Sequence, residues 1–429
     1  MSAPSEQRLG SGRYVAPAVI PGHTAVSAHE LTTHDGAKVG GLLRTVPGAT
    51  TVAVLMHPRQ DFSHHVLVPE LLSRGYAVWT QNTRSAGNDL TLLHEQALLD
   101  MAAGHTFLRE HGFEKVVSVG HSGGGALAAY YIEQAALPAS WRDAATPGGK
   151  PVPLAEAGMP VPDGLLLMAP HPGQGRLLMR VIDPSVADEA DPMSIDPALD
   201  PYDPRNGFAP PPVPSRYAAE FIETYRRAQR SRVERIDRIA RERIAAAATA
   251  RHRHARTGDP RDRRRALASG VIVVHRTDAD LRGVDLHLDP NDRPYGSLFG
   301  RRPDLTNYGI VGFGRLTTPE AWLSTWSGIS SRADLVRCAA GVNVPVLLIE
   351  LTGDQACFPA DARHMTDSFA SGDVTHIRVA GRHFGAPLTQ GAPSGATLAG
   401  EAMDPWLGTR FPAGARASRR QTDRGPAGP

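Results

Sequence analysis

One pentapeptide, Gly-His-Ser-Gly-Gly at residues 120–124, has the residue types and spacing to make a reactive serine. The β-branched run 115–119 before it indicates a buried strand, and the alanine-rich run 125–133 after it indicates a helix. A strand, G-x-S-x-G and a helix in succession are typical of a sharp turn that lifts the serine hydroxyl clear of a sheet. N–H groups at the helix start face the place where negative charge would develop. The pattern therefore predicts that Ser122 is a nucleophile.

Glycine-rich turns between a strand and a helix can also hold phosphate groups. That alternative requires either a G-x-x-x-x-G-K-[ST] loop or a G-x-G-x-x-G run with an acidic residue downstream. Neither pattern occurs around residues 120–124. The chemistry favoured at this turn is therefore attack by a serine hydroxyl.

A nucleophilic serine needs a base within hydrogen-bond reach, and a histidine base needs a carboxylate that orients it. In α/β sheets such groups lie just past the carboxyl ends of strands. Asp354 and His383 each follow a strand-like run, in polar loops flanked by glycine. The competing residues lie within or beyond the next helix or inside a strand: Asp361, Asp367, Asp373 and His376.

Strand-like and helix-like runs alternate over much of the chain. The strand-like runs are 24–32, 38–45, 51–56, 76–81, 115–119, 164–169, 344–349 and 374–379. Helix-like runs are 64–74, 91–111, 125–133 and 360–369. Unbroken apolar strands that alternate with helices predict an α/β fold with a mostly parallel, doubly wound sheet covered on both faces.

The G-x-S-x-G turn and its two partners resemble the serine hydrolases of the α/β-hydrolase fold. In that family the triad runs in the order nucleophile, acid, histidine, and Ser122, Asp354 and His383 match the order. The resemblance implies a hydrolase core over residues 23–170 and 335–410 and a large inserted cap, or lid, over 171–334. The remaining segments are predicted to be an N-terminal arm, 1–22, and a disordered tail, 411–429, which is rich in Arg, Gly and Pro.

The same resemblance implies an oxyanion hole with two N–H donors. One donor is the backbone of Gly123, directly after the nucleophile. The family takes the second from the loop after the third strand, often within a His-Gly motif, but here Pro58 occupies the place of the glycine and has no N–H. The backbone of Arg59 is therefore the expected second donor, and its side chain is either a surface charge or a contact for an anionic substrate group. Arg84 is expected to be structural.

The expected cap begins with five Asp-Pro pairs, which favour irregular backbone. A long helix is predicted over about 215–256, with an apolar seam that could pair with a second copy of the chain. Residues 226–265 carry fifteen arginines and five acids, a local net charge of +10. These arginines either bind an anionic partner or form a solvated helix face, and the lack of interleaved aromatic residues favours the solvated face.

Five aromatic residues of the cap are candidates for the walls of a substrate pocket, with core packing as the equal alternative: Tyr202, Phe208, Tyr217, Trp322 and Trp326. Among the histidines, His57, His64, His65 and His94 show no i, i+4 ligand pair or H-E-x-x-H motif. No metal and no other cofactor is therefore expected.

Composition places few limits on function. The chain has 429 residues, a net charge of +2, and two cysteines, Cys338 and Cys357, which suit a reducing compartment. We see no leader-like start and no apolar run long enough to span a bilayer, so we expect a cytoplasmic protein without a membrane or nucleic-acid partner.

Taken together, these features predict a serine hydrolase that cleaves an acyl bond in a small molecule through an acyl-enzyme. The bond would be a carboxylic ester, a thioester, a lactone or an amide. Two alternatives stay open. The same residues could serve an acyltransferase or another non-hydrolytic enzyme, and the fold could belong to a ligand-binding protein.

Overall fold

The computed structural model describes residues 19–268 and 270–414, and its frame is a set of short strands. In chain order they are β1 (Ala25–Thr32), β2 (Lys38–Thr45), β3 (Thr51–Met56), β4 (Ala77–Gln81), β5 (Lys115–His121), β6 (Gly164–Met168), β7 (Ile272–Val273), β8 (Leu316–Thr317), β9 (Val346–Leu351) and β10 (Val374–Val379). Each strand-like run of the sequence forms a strand of the main sheet.

Eight of these strands form one sheet in the order β1-β2-β4-β3-β5-β6-β9-β10. Strand β2 is antiparallel to both of its neighbours, and every other pair is parallel. This order, with a helix crossover between the parallel strands, is the α/β-hydrolase fold, so the predicted fold class is confirmed. Strands β7 and β8 make a separate two-stranded ladder.

Helices cover both faces of the sheet and fill the segment between β6 and β9. They are α1 (Leu67–Ser73), α2 (His94–Glu110), α3 (Gly123–Ala136), α4 (Gln174–Val181), α5 (Ala219–Thr257), α6 (Pro260–Leu267), α7 (Pro303–Thr306), α8 (Pro319–Ala321), α9 (Leu335–Cys338), α10 (Pro359–Asp367) and α11 (Gly395–Arg410). Helices α1 and α11 pack on one face of the sheet, and α2, α3, α9 and α10 pack on the other. Successive residues of β6 alternate between the two cores, which explains why its sequence is apolar throughout.

The inserted segment, residues 171–334, has its own core. Helix α5 contributes Val233, Ile236 and Ala240, which pack against α4, β7 and a π-helical turn at Trp322–Trp326. The seam that suggested pairing with a second copy is thus buried inside the same chain. The helix ends where Gly258 adopts a left-handed conformation and Asp259 caps the start of α6.

Many arginines of this segment are neutralised within the fold. Arg232 is 1% exposed and pairs with Glu189, which also binds Arg235. Arg226 pairs with Asp280, and Arg261 and Arg253 pair with the acids at the start of α6. These ion pairs give the arginines acidic partners inside the protein, without an anionic ligand.

The ordered core extends past residue 410, where the disordered tail was expected to begin. Phe411 is 4% exposed and packs on Trp406, and the Pro412 carbonyl accepts a hydrogen bond from the Thr51 hydroxyl. The rest of the predicted tail, 415–429, and most of the predicted arm, 1–18, lie outside the described residues. Within the described ranges, no helix is long and apolar enough to cross a membrane.

Candidate active site

The strained backbone at Ser122 is the centre of the site. Ser122 lies between β5 and α3 with φ 55° and ψ −126°, a backbone conformation that residues other than glycine rarely adopt. A Cβ at Gly120 would lie 2.5 Å from Gly125 Cα, and one at Gly124 would lie 2.6 Å from the Met56 carbonyl oxygen. The turn is therefore so tight that only glycine fits two positions before and two positions after the serine.

The two loops that follow β9 and β10 bring Asp354 and His383 to the same edge of the sheet. The strands pair in parallel, with Leu351 opposite Val379. The Gly353 amide donates to the Gly381 carbonyl at 2.8 Å. This bond joins the two loops, one residue before Asp354 and two residues before His383.

The three predicted residues form one hydrogen-bonded chain. The Ser122 hydroxyl lies 3.0 Å from His383 Nε2, and His383 Nδ1 lies 2.8 Å from the nearer carboxylate oxygen of Asp354. With the ring proton on Nδ1 donated to the carboxylate, Nε2 is free to accept the serine proton. His383 is 2% exposed and Asp354 is fully buried, so water competes little with these bonds.

The Asp354 carboxylate has further partners that hold its orientation. The backbone N–H groups of Ala356 and Cys357 donate to Oδ1 at 2.6 and 3.1 Å. Asn291, which belongs to the inserted segment, donates from Nδ2 to the Asp354 backbone carbonyl at 2.9 Å. These donors hold the carboxylate and the backbone of Asp354 in place beside the imidazole.

A pair of buried histidines, to which the sequence analysis gave no role, holds the loop of His383. His65 Nε2 lies 2.8 Å from His121 Nδ1, and His121 Nε2 lies 2.8 Å from the His383 backbone carbonyl. The Leu67 amide donates to His65 Nδ1, so each ring accepts on Nδ1 and donates from Nε2. Burial lowers the pKa of His65 to about 3 and that of His121 well below its usual value, so both rings are neutral.

The oxyanion side of the site differs from the expectation at one residue. Gly123, the first residue of α3, has an amide with no acceptor among the described residues, as a donor of the hole requires. The amide of Arg59, by contrast, donates to His57 Nδ1 at 3.0 Å. The expected second donor is therefore engaged, because the loop after β3 folds back onto its own histidine.

The side chains of Arg59 and Arg84 both have structural partners. Arg59 Nε donates to Asp89 at 2.8 Å, and its guanidinium lies 4.8 Å from the centre of the Trp326 ring. Arg84 bridges Asp35 and Asp100, and it lowers the pKa of the Asp35 carboxyl to about 2.

The five aromatic candidates of the inserted segment take the packing alternative. Tyr202, Tyr217 and Phe208 cluster with Tyr225. The Tyr202 hydroxyl donates to the Asp278 carbonyl, and the Tyr217 hydroxyl donates to the Pro201 carbonyl. The other two lie in the core around α5 and are fully buried: Trp322 and Trp326. Of these five residues, Trp326 alone is placed against the loop after β3, through the guanidinium of Arg59.

The histidines near the site do not form a metal centre. Between residues 19 and 414, with 269 set aside, no group of three or more His, Cys, Asp or Glu side chains could hold an ion. His64 is exposed, and the rings of His57 and His94 are buried with pKa values lowered by desolvation.

Comparison with known proteins adds likeness to solved structures only. No protein-family model and no curated protein matches this sequence. A structure of DcsB with its substrate analogue is 12% identical, with 90% of this chain and 100% of that chain covered and a TM-score of 0.46. An esterase domain from Rhodothermus marinus is 10% identical (89% and 98% covered, TM-score 0.41), and the α/β hydrolase GrgF from Penicillium sp. sh18 is 12% identical (84% and 91%, 0.42). The fold assignment rests on the sheet order and on the turn at Ser122.

Proposed function

We propose that this protein is a serine hydrolase that cleaves an acyl bond by way of an acyl-enzyme. The observation that carries the proposal is the hydrogen-bonded chain from the strained Ser122 through His383 to Asp354. The bond cleaved is a carboxylic ester, a thioester, a lactone or an amide, and the reaction uses no metal or other cofactor.

In the first half of the reaction, Ser122 Oγ attacks the acyl carbonyl carbon while its proton passes to His383 Nε2. The imidazolium that forms is stabilised by the buried carboxylate of Asp354. The carbonyl oxygen gains the negative charge and accepts a hydrogen bond from the Gly123 amide. When the tetrahedral intermediate collapses, His383 gives its proton to the leaving oxygen, sulfur or nitrogen, and the acyl group stays on the serine.

In the second half, water takes the place of the leaving group. His383 accepts a proton from the water as its oxygen attacks the acyl carbon, and the proton then returns to Ser122 Oγ. The carboxylic acid product leaves, and the free serine is restored.

We further propose that the inserted segment, residues 171–334, serves as a cap that shapes the entrance to the site. Two of its contacts support this role. Asn291 binds the backbone of Asp354, and the Trp326 ring packs against the guanidinium of Arg59. A cap that is tied to both the acid loop and the loop after β3 limits which acyl groups reach Ser122.

Labelling with a fluorophosphonate tests the proposed function. The native protein should form a covalent adduct on Ser122, and both Ser122→Ala and His383→Ala should abolish labelling, because the first removes the nucleophile and the second removes its base. Ser73→Ala, at an exposed serine, is the matched control and should label as the native protein does. Adduct mass and the labelled peptide are read by mass spectrometry.

A folded native protein that does not react with the probe would contradict the proposal and favour the ligand-binding alternative. Labelling that persists in His383→Ala would contradict the role of the histidine. Where labelling follows the proposal, turnover of acyl esters with and without an added alcohol or amine acceptor separates hydrolysis from acyl transfer.

A further inference from the structure

In the loop after β3, the three positions that follow His57 offer no free backbone donor. Pro58 has no N–H, and the amides of Arg59 and Gln60 both donate to His57 Nδ1, at 3.0 and 2.9 Å. With these three backbone positions unavailable, a side chain of the loop is the alternative source of a second donor.

The same two hydrogen bonds fix the tautomer of the His57 ring. An imidazole nitrogen that accepts two N–H groups carries no proton, so in the neutral ring the proton lies on Nε2. Burial, together with the nearby Arg59 cation, lowers the pKa of His57 well below its usual value and keeps the ring neutral. His57 therefore presents one fixed N–H donor.

His57 Nε2 lies beside Gly123, whose amide is the first donor of the proposed oxyanion hole. A Cβ at Gly123 would lie 3.1 Å from His57 Nε2, and it would collide with the side-chain nitrogen of Gln174. Within the described part of the chain, Nε2 of His57 has no hydrogen-bond acceptor, although the residue is only 1% exposed. The ring is held against Phe62, with 5.1 Å between the ring centres.

We propose that the second donor of the oxyanion hole is His57 Nε2–H, which acts together with the Gly123 amide. This inference rests on the proposed function, since it names a catalytic residue of the same site. The His57 ring takes the place of the Arg59 backbone amide, which donates to His57 Nδ1 within the loop. A neutral, buried donor fits the role, because it stabilises the charge that develops on the carbonyl oxygen without a charge of its own to desolvate.

The glycine at position 123 has a reason in this arrangement. Any larger residue there would fill the space that the His57 and Gln174 side-chain nitrogens occupy beside residue 123. Gln174 Nε2 is thus a neighbour of the hole, while its Oε1 is buried without a partner in the described chain.

Two substitutions separate a donor role of His57 from a purely structural role. His57→Asn keeps an acceptor near the Nδ1 position for the two loop amides but removes the Nε2 donor. His57→Gln does the reverse, because its longer side chain places an amide nitrogen near the Nε2 position. The readout is the second-order rate constant for fluorophosphonate reaction at Ser122, since that reaction also develops negative charge on an oxygen in the hole. The melting temperature of each variant shows whether it is folded and how stable it is.

We expect His57→Asn to lower this rate constant about 10²- to 10³-fold with a melting temperature close to native, the usual effect of one lost oxyanion donor. His57→Gln should react faster than His57→Asn even where it is less stable. The inference is overturned if His57→Asn reacts at the native rate, or if it reacts faster than His57→Gln. A native protein that fails to react at all would instead remove the proposed function on which the inference rests.

Discussion

At the scale of single residues, the site depends on buried polar groups that are each given a partner. Ser122 is held in a conformation that costs of order 1–3 kcal/mol, and this persists only where the surrounding packing determines it. Here that packing comes from α3 and β3, which meet at the glycines of the turn. Asp354 has no exposed surface but accepts from two backbone amides and from His383.

The role of Asp354 can be measured by Asp354→Asn. The substitution keeps the size of the side chain but removes the charge that stabilises the imidazolium and selects the Nδ1–H tautomer of His383. We expect kcat on a p-nitrophenyl ester to fall about 10⁴-fold, by analogy with the corresponding change in serine proteases. Asp367→Asn, at an exposed residue on α10, is the control and should leave kcat unchanged. Equal activity of the two variants would exclude Asp354 as the orienting acid.

At the scale of elements, the start of α2 joins the sheet to the inserted segment. The His94 amide donates to Ser324 Oγ, the Ser324 hydroxyl donates to Glu95, and Thr325 binds the Leu92 carbonyl. Glu95 Oε1 is buried without a partner within the described ranges, and burial raises the pKa of Glu95 to about 7. This junction therefore contains a carboxyl group that is costly to ionise.

The sign of the Glu95 effect follows from its raised pKa. In the unfolded chain the carboxyl ionises near its usual pKa of 4.5, whereas the folded protein holds the proton up to about pH 7. Its contribution to the free energy of unfolding is therefore greatest at low pH and is lost as the pH rises from about 4.5 through 7. The total change is on the order of 3 kcal/mol.

Glu95→Gln should remove this loss of stability. Gln retains an oxygen that accepts from Ser324 but has no charge to desolvate. We expect the variant to melt above the native protein at pH 8 and close to it at pH 5, as measured by calorimetry. Glu110→Gln, at the exposed end of the same helix, should show no such difference. A Glu95→Gln advantage that is the same at both pH values would rule out ionisation as its cause.

At the scale of the whole molecule, residues 411–414 cover the ends of the sheet's central strands at which β3 and β6 begin. Phe411 fills the space beside Gly164, where a Cβ would lie 2.6 Å from the phenyl ring. The Ala413 carbonyl accepts from the Thr50 amide at the start of β3, and the Pro412 carbonyl accepts from Thr51. Residues 411–414 thus join β3, β6 and α11 in one core.

Phe411→Ala measures how much the packing of residues 411–414 contributes to the free energy of unfolding. Loss of a buried phenyl group and the cavity left behind should lower the free energy of unfolding by about 3–5 kcal/mol in urea titrations. Trp141→Ala is the control, because that side chain is 75% exposed and its loss should change stability by less than about 0.5 kcal/mol. A change of that small size in Phe411→Ala would mean that residues 411–414 add nothing to the core.

The sequence by itself determined the sheet, the turn at Ser122 and the order of its two partners. Unbroken apolar runs, G-x-S-x-G and polar loops after strands are local signals, and each can be recognised within about ten residues. The helix near 219–257 was also predictable within a few residues, because its seam repeats along one continuous segment.

Only the tertiary structure decided how the polar groups pair. The Arg59 amide turns to His57, two buried histidines hold the loop of His383, and Phe411 joins the core. These outcomes depend on the packing of loops and on contacts between residues up to hundreds of positions apart, and in a buried site each donor takes whichever acceptor the packing brings within reach. Local patterns carry no information on that choice.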